Sequence, residues 1–198
     1  PGPPPRPPAR PRVRARPAGS GEAAPTSAHF AAAKACLEAG KHVLVEKPIA
    51  VTSAEAHQLV ELAARHGCLL QVGHSERFNP IMQRMRSSIE RPAFIEGHRL
   101  SAFGERGTDV DVVLDLMIHD LDLVLSFHPG AVEEVRAAGV PVLSSNIDIA
   151  NARIAFASGC VANLTASRVS TNKMRRLRFF QRDRYVSIDF QTRQAMVS

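Results

Sequence analysis

The sequence predicts an α/β chain that passes into an α+β domain, and three observations carry that prediction. Up to residue 73 it alternates helix, strand, helix and strand with tight connections, the pattern of a parallel sheet. After "RFNP" (77–80) that texture ends. From about residue 131 alternating apolar and polar runs follow one another with turn signals between them, as antiparallel strands do. The expected organisation is a disordered Pro/Arg-rich head at 1–22, a first domain at 23–75 and a second at 76–198.

The head, "PGPPPRPPARPRVRARPAGSG", holds five arginines and no acid within 21 residues, so five of the six net positive charges lie there. Its composition cannot build a core, although "PPPRPP" could lie in a partner's polyproline groove. The folded remainder is nearly neutral, which argues against a nucleic-acid partner. No apolar run approaches the roughly 18 residues of a membrane helix, so no membrane partner is expected. Cys36, Cys68 and Cys160 are widely spaced with no CxxC, which fits a reducing, cytoplasmic setting and neither a zinc nor a disulfide framework.

In "TSAHFAAAKACLEAGKH" Ser27 is the expected N-cap and Gly40 the stop. "VLV" (43–45) follows as a buried strand. In "TSAEAHQLVELAARHG" Thr52 or Ser53 caps a second helix that ends at Gly67. "CLLQVG" (68–73) is the next strand. Further on, "IMQRMRSSI" reads as helical and "AFIEGHRLSAF" (93–103) as a strand with one wet face. "DVDVVLDLMIHDLDLVLSF" (109–127) reads as one long helix. Strands are expected in "DIANARIAF", "CVANLTASRV", "RRLRFFQ" and "YVSIDF", with turns at Ser158–Gly159 and Arg182–Asp183.

Ligands of open parallel sheets bind beyond the carboxyl ends of the strands. Glu46, Lys47 and Pro48 stand at one such end, and Arg77 and Asn79 follow the other. Pro48 restricts the residue before it and so aims Lys47. A lysine near a low-dielectric site can take part in proton transfer, while the plain alternative is a strand-end ion pair with Glu46. Asp115 and His119 are four apart and would share a helical face, where a carboxylate and an imidazole can take a hydroxyl proton. The alternative there is a simple i,i+4 pair. A third ligand is not obvious, so no metal is expected. Asp120 and Asp122 read as caps or solvated groups. His29 lies where "PTSAH" opens a helix, a place that favours anions. Arg99 and Arg106 could clamp phosphates.

Taken in order, "PTSAHF", "GKHVLVEKPIA", "QVGHSERFNP" and "DLMIHDLD" resemble the Gfo/Idh/MocA family of NAD(P)-dependent oxidoreductases. The resemblance runs over residues 24–190. It implies a partial Rossmann-like parallel sheet, then an α+β domain with a large, mainly antiparallel sheet. It also implies hydride transfer between a sugar or polyol carbon and NAD or NADP. Lys47 would orient the reacting hydroxyl, with His119 as base and Asp115 as its partner. Pro25, Thr26, His29, Glu46, Lys47, Pro48 and Arg77 would line the dinucleotide. Substrate would meet Lys47, Asn79, Arg99, Arg106, Asp115 and His119. The run 94–122 is similar to the branch that oxidises UDP-N-acetylglucosamine, which would make Arg99 and Arg106 diphosphate contacts. The second-domain sheet would serve a homo-oligomer. Relatives of this kind open on a strand and a glycine-rich turn, and none precedes "PTSAHF". The expectation is therefore a family fragment, short at both ends, with a catalytically silent binding or oligomerisation module as the alternative.

Overall fold

The structure is a computed structural model that describes residues 25–104 and 109–198. These fall into two compact units that divide between Gly73 and His74.

In the first unit, α1 (Thr26–Glu38), β1 (Val43–Val45), α2 (Ser53–Arg65) and β2 (Leu70–Val72) follow one another. β1 and β2 pair in parallel, with Val45 opposite Val72. Ser27 is not the cap of α1. Pro25 holds that place with an extended backbone, and no side chain caps the helix, because Thr26 is already helical. Gly40 follows α1 with φ +69°. At α2 the Thr52 hydroxyl accepts the Glu55 N–H, and the Glu55 carboxylate accepts the Thr52 N–H, a complete capping box. Ala33, Leu37, Val43, Val45, Leu59, Leu62 and Ala63 form the core. β1 is buried on one face only: Leu44 is 63% exposed, because among the described residues no element covers its side.

The second unit opens on a 3₁₀ turn, Ser75–Phe78, and α3 (Pro80–Met85). β3 (Phe94–Leu100) comes next, and a π-helical turn, Val113–Met117, then leads into α4 (Ile118–Leu125). Six strands complete it: β4 (Val132–Val140), β5 (Ile149–Phe156), β6 (Val161–Ser167), β7 (Met174–Phe180), β8 (Tyr185–Asp189) and β9 (Gln194–Val197). They join β3 in one seven-stranded sheet of order β4-β5-β6-β3-β7-β8-β9. Its pairs are antiparallel except β3 with β6, which run parallel. The expected single helix over 109–127 is instead shorter and interrupted. The Asp111 carboxylate accepts the Val113 and Leu114 N–H groups at 3.0 and 3.1 Å, which starts the helical segment late.

Register fixes two faces. Ala152, Leu164, Gly97, Leu177 and Ile188 lie in one row and face the core, while Asn151, Thr165, His98, Arg176 and Asp189 form the row beside it on the outer face. The core joins the inner row to Ile81, Met82, Met117, Leu123 and Val124. Thus the π turn and α4 are pressed onto the sheet's inner face.

Candidate functional site

Both strands of the first unit end at the same rim. Gly73 donates its N–H to the Val45 carbonyl at 2.7 Å, which extends the pairing to the point where Glu46, Lys47 and Pro48 leave β1. A Cβ at Gly73 would stand 2.9 Å from Glu46 Oε2, so the end of the exposed Glu46 side chain lies where a side chain at 73 would begin. The Lys47–Pro48 bond is cis. Pro48 is buried, Lys47 half-buried and Glu46 exposed. His29 is buried on α1 and its Nδ1 lies 2.8 Å from the Pro48 carbonyl oxygen. A carbonyl only accepts, so Nδ1 carries the proton and the ring ties the start of α1 to the corner after β1. Beside it Thr26 is buried, and the first turn holds no acidic residue.

Those features bear on a dinucleotide. An uncapped helix start offers N–H groups and a positive dipole end to phosphate or ribose oxygens, and the rim after β1 suits a polar ring edge. Among the described residues there is no glycine-rich strand-to-helix turn for a pyrophosphate. The fit therefore covers the strand-end part of such a ligand.

In the second unit the residues expected to meet ligand divide. Arg77 forks onto Asp122, with Nε and Nη2 each 2.6 Å from a carboxylate oxygen, and this bond raises the guanidinium pKa. Asn79 caps α3 through the Ile81 N–H at 3.2 Å and donates to Glu76 at 3.3 Å. Arg99 is 2% exposed. Its Nη2 lies 2.7 Å from Asp120 Oδ1, and Glu76 approaches Nη1 at 3.6 Å. Burial works against that cation, and the charges and hydrogen bonds of Asp120 and Glu76 together outweigh it, so its pKa is raised. The diphosphate role expected of Arg99 does not match this placement, because its charge is spent inside the fold. Asp120 and Asp122 are not solvated caps either; both are buried in these pairs. Arg106 lies outside the described residues.

Asp115 sits in the π turn and His119 in the first turn of α4, both half-buried. The i→i+5 repeat of a π turn alters the angle between them that an unbroken α-helix would give. π turns recur at functional sites. Just after His119 the helix is pinned, at Asp120 by Arg99 of β3 and at Asp122 by Arg77. Sequence reasoning missed these anchors, although strand alternation puts Arg99 on the face of Ile95. Among the described residues no three His, Cys, Asp or Glu side chains gather as metal ligands. No helix of the described residues is long and apolar enough to cross a membrane.

Comparison with known proteins matches both units. Residues 23–74 match the Gfo/Idh/MocA oxidoreductase family model with an NAD-binding Rossmann fold, and residues 81–185 match the Gfo/Idh/MocA C-terminal domain. UDP-N-acetylglucosamine 3-dehydrogenase of Acidithiobacillus ferrooxidans is 42% identical over 167 residues, which cover 84% of this chain and 53% of that protein. Its solved structure superposes with a TM-score of 0.82 at 40% identity, covering 88% of this chain and 58% of that one. Myo-inositol 2-dehydrogenase of Thermotoga maritima is 25% identical over 158 residues, 72% of this chain and 47% of its own. The WlbA dehydrogenase of Chromobacterium violaceum, solved with NADH and UDP-GlcNAcA, shares the fold at 19% identity, with a TM-score of 0.76 over 84% of this chain and 54% of that one. The chain spans about half the length of the curated relatives it matches.

Proposed function

Because the chain belongs to the Gfo/Idh/MocA family of NAD-binding oxidoreductases, we propose that it is part of a dehydrogenase that moves a hydride between a nucleotide-sugar hydroxyl carbon and NAD or NADP. The observation that carries this reading is the likeness to the UDP-N-acetylglucosamine 3-dehydrogenase, which extends through both units and so includes the corner after β1 and the π turn. Nicotinamide, when bound, supplies the hydride acceptor.

The residues of the chain do the rest. Lys47 orients the reacting hydroxyl and steadies the oxygen as negative charge grows on it. His119 takes the hydroxyl proton as the C–H bond gives up its hydride, leaving a ketone, and Asp115 steadies the imidazolium that forms. His29 and Thr26, at the start of α1, and Glu46 and Pro48 hold the dinucleotide. In this reading Arg77 is a further cofactor contact and Asn79 a substrate contact. The large sheet is the surface for self-association, at its edge strand β4, which is exposed along its length and leaves Val132, Val135 and Val140 exposed.

Calorimetric titration with NADH tests the cofactor. Binding in the micromolar to low-millimolar range supports the reading. No heat at millimolar NADH defeats cofactor use by this chain and leaves the sheet as an assembly module. Where NADH binds, Lys47→Ala is expected to lower kcat with UDP-N-acetylglucosamine at least about 100-fold while changing NADH affinity little.

A further inference from the structure

The stretch that leads into the π turn is held by a polar knot on the sheet's inner side. Asp148, 0% exposed, precedes β5. Its Oδ2 accepts the N–H groups of Val142, Leu143 and Ser144 at 2.8, 2.7 and 2.8 Å. Its Oδ1 accepts the Ser144 hydroxyl at 2.7 Å and Arg168 Nε at 2.8 Å. Burial works to raise that carboxyl, and these donors, Ser144 and Arg168 foremost, hold it well below the usual carboxylate range. Arg168 follows β6, is itself 3% exposed, and reaches on: its Nη1 donates to the Val110 carbonyl at 2.8 Å and its Nη2 to Ser144 Oγ at 3.2 Å. One peptide later the Val112 N–H donates to the Ile147 carbonyl at 2.9 Å, and Asp115 N–H donates to the Asp111 carbonyl at 3.0 Å.

We propose that Arg168 is a positioning residue for Asp115 and His119, setting where the π turn begins by gripping Val110 from the end of β6. The proposal rests on reading Asp115 and His119 as the proton-transfer pair. A planar guanidinium serves the carboxylate, the hydroxyl and the carbonyl together; an ammonium on a lysine stem cannot span all three in that plane. A buried ion pair is weak evidence for stability, since apolar replacements of similar volume are often tolerated. What the apolar replacement cannot do is donate to Val110.

Arg168→Met and Arg168→Lys in the full chain test this, with folding checked by the methyl signals of Leu164 on β6 and Leu177 on β7. In Arg168→Met the His119 imidazole, followed by NMR, is expected to titrate at a shifted pH. kcat with UDP-N-acetylglucosamine and NAD is expected to fall about 10- to 100-fold, the scale of a 1 Å misplacement, with the KM for NAD unchanged. Arg168→Lys should recover part of both. Should Arg168→Met fail to fold, Ser144→Ala, which removes one hydroxyl from the knot, should give a smaller change of the same sense. A folded Arg168→Met, or in its place Ser144→Ala, whose His119 titrates as in the parent overturns the proposal, and that readout needs no turnover. His119→Gln separates the two readings: full turnover in that variant defeats the catalytic pair, whereas the titration of His119 in Arg168→Met still decides whether the knot sets its surroundings.

Discussion

Arg99 sits on β3 with its charge turned inward, and the alternation of that strand decides it. Ile95, Gly97 and Arg99 share the buried face, while Phe94, Glu96 and His98 share the other. An arginine carried to that face needs a partner, and Asp120 supplies it with bonds of 2.7 to 3.1 Å. Removing Arg99 takes from the buried Asp120 carboxylate the cation it pairs with. Arg99→Met is therefore expected to cost about 3–5 kcal/mol, read as a lower urea midpoint, whereas Arg99→Met with Asp120→Leu should recover most of that loss. Equal losses in the single and double variants would show that the pair contributes nothing beyond the space it fills. The face of Arg99 was legible in the sequence by counting in twos. Its partner, 21 residues further on, was not, because nothing local says which aspartate a strand residue will meet. Lys47, Asp115 and His119 were legible as candidates from their motifs, while the anchors around them come from tertiary packing.

Among the elements, the crossing of α4 over the sheet is set at Gly97. A Cβ there would meet Leu164 Cδ2 at 2.6 Å and Leu177 Cδ2 at 2.9 Å, with Asp120 Cβ at 3.9 Å. Both leucines are fully packed, so they cannot turn away without displacing the core. Gly97→Ala is expected to destabilise by about 1–3 kcal/mol in urea unfolding, the usual scale of overpacking. Restoring space with Leu164→Ala in the same chain should return part of that loss. If Gly97→Ala alone is neutral, the sheet yields here and Gly97 does not set the seat of α4. The order of elements was readable because helix caps and alternation are local signals, as the capping box at Thr52 illustrates. The parallel pairing of β3 with β6 and the π turn were not, since pairing partners lie 67 residues apart at Phe94 and Val161 and a π turn has no composition of its own.

Across the whole molecule the two units differ in what holds them. Among the described residues, seven buried apolar side chains form the core of the first and twenty-one that of the second. A two-stranded sheet with two helices has little apolar area to set against the backbone entropy of ordering it, whereas seven strands with two short α-helices, two 3₁₀ turns and a π turn have far more. Chains built this way depart from a single cooperative transition. Hydrogen exchange on the full chain is expected to find the amides of β1 and β2 opening at much lower free energy than those of β3 and β6. Dinucleotide should narrow that gap, because a ligand that binds only the folded form adds about 2.7 kcal/mol at a hundredfold excess over Kd. Slower exchange at α1 and β1 with NADH, and no change at β5 and β6, would assign the binding energy to the first unit. Equal protection of both units without ligand would instead mean that the small core opens only with the large one.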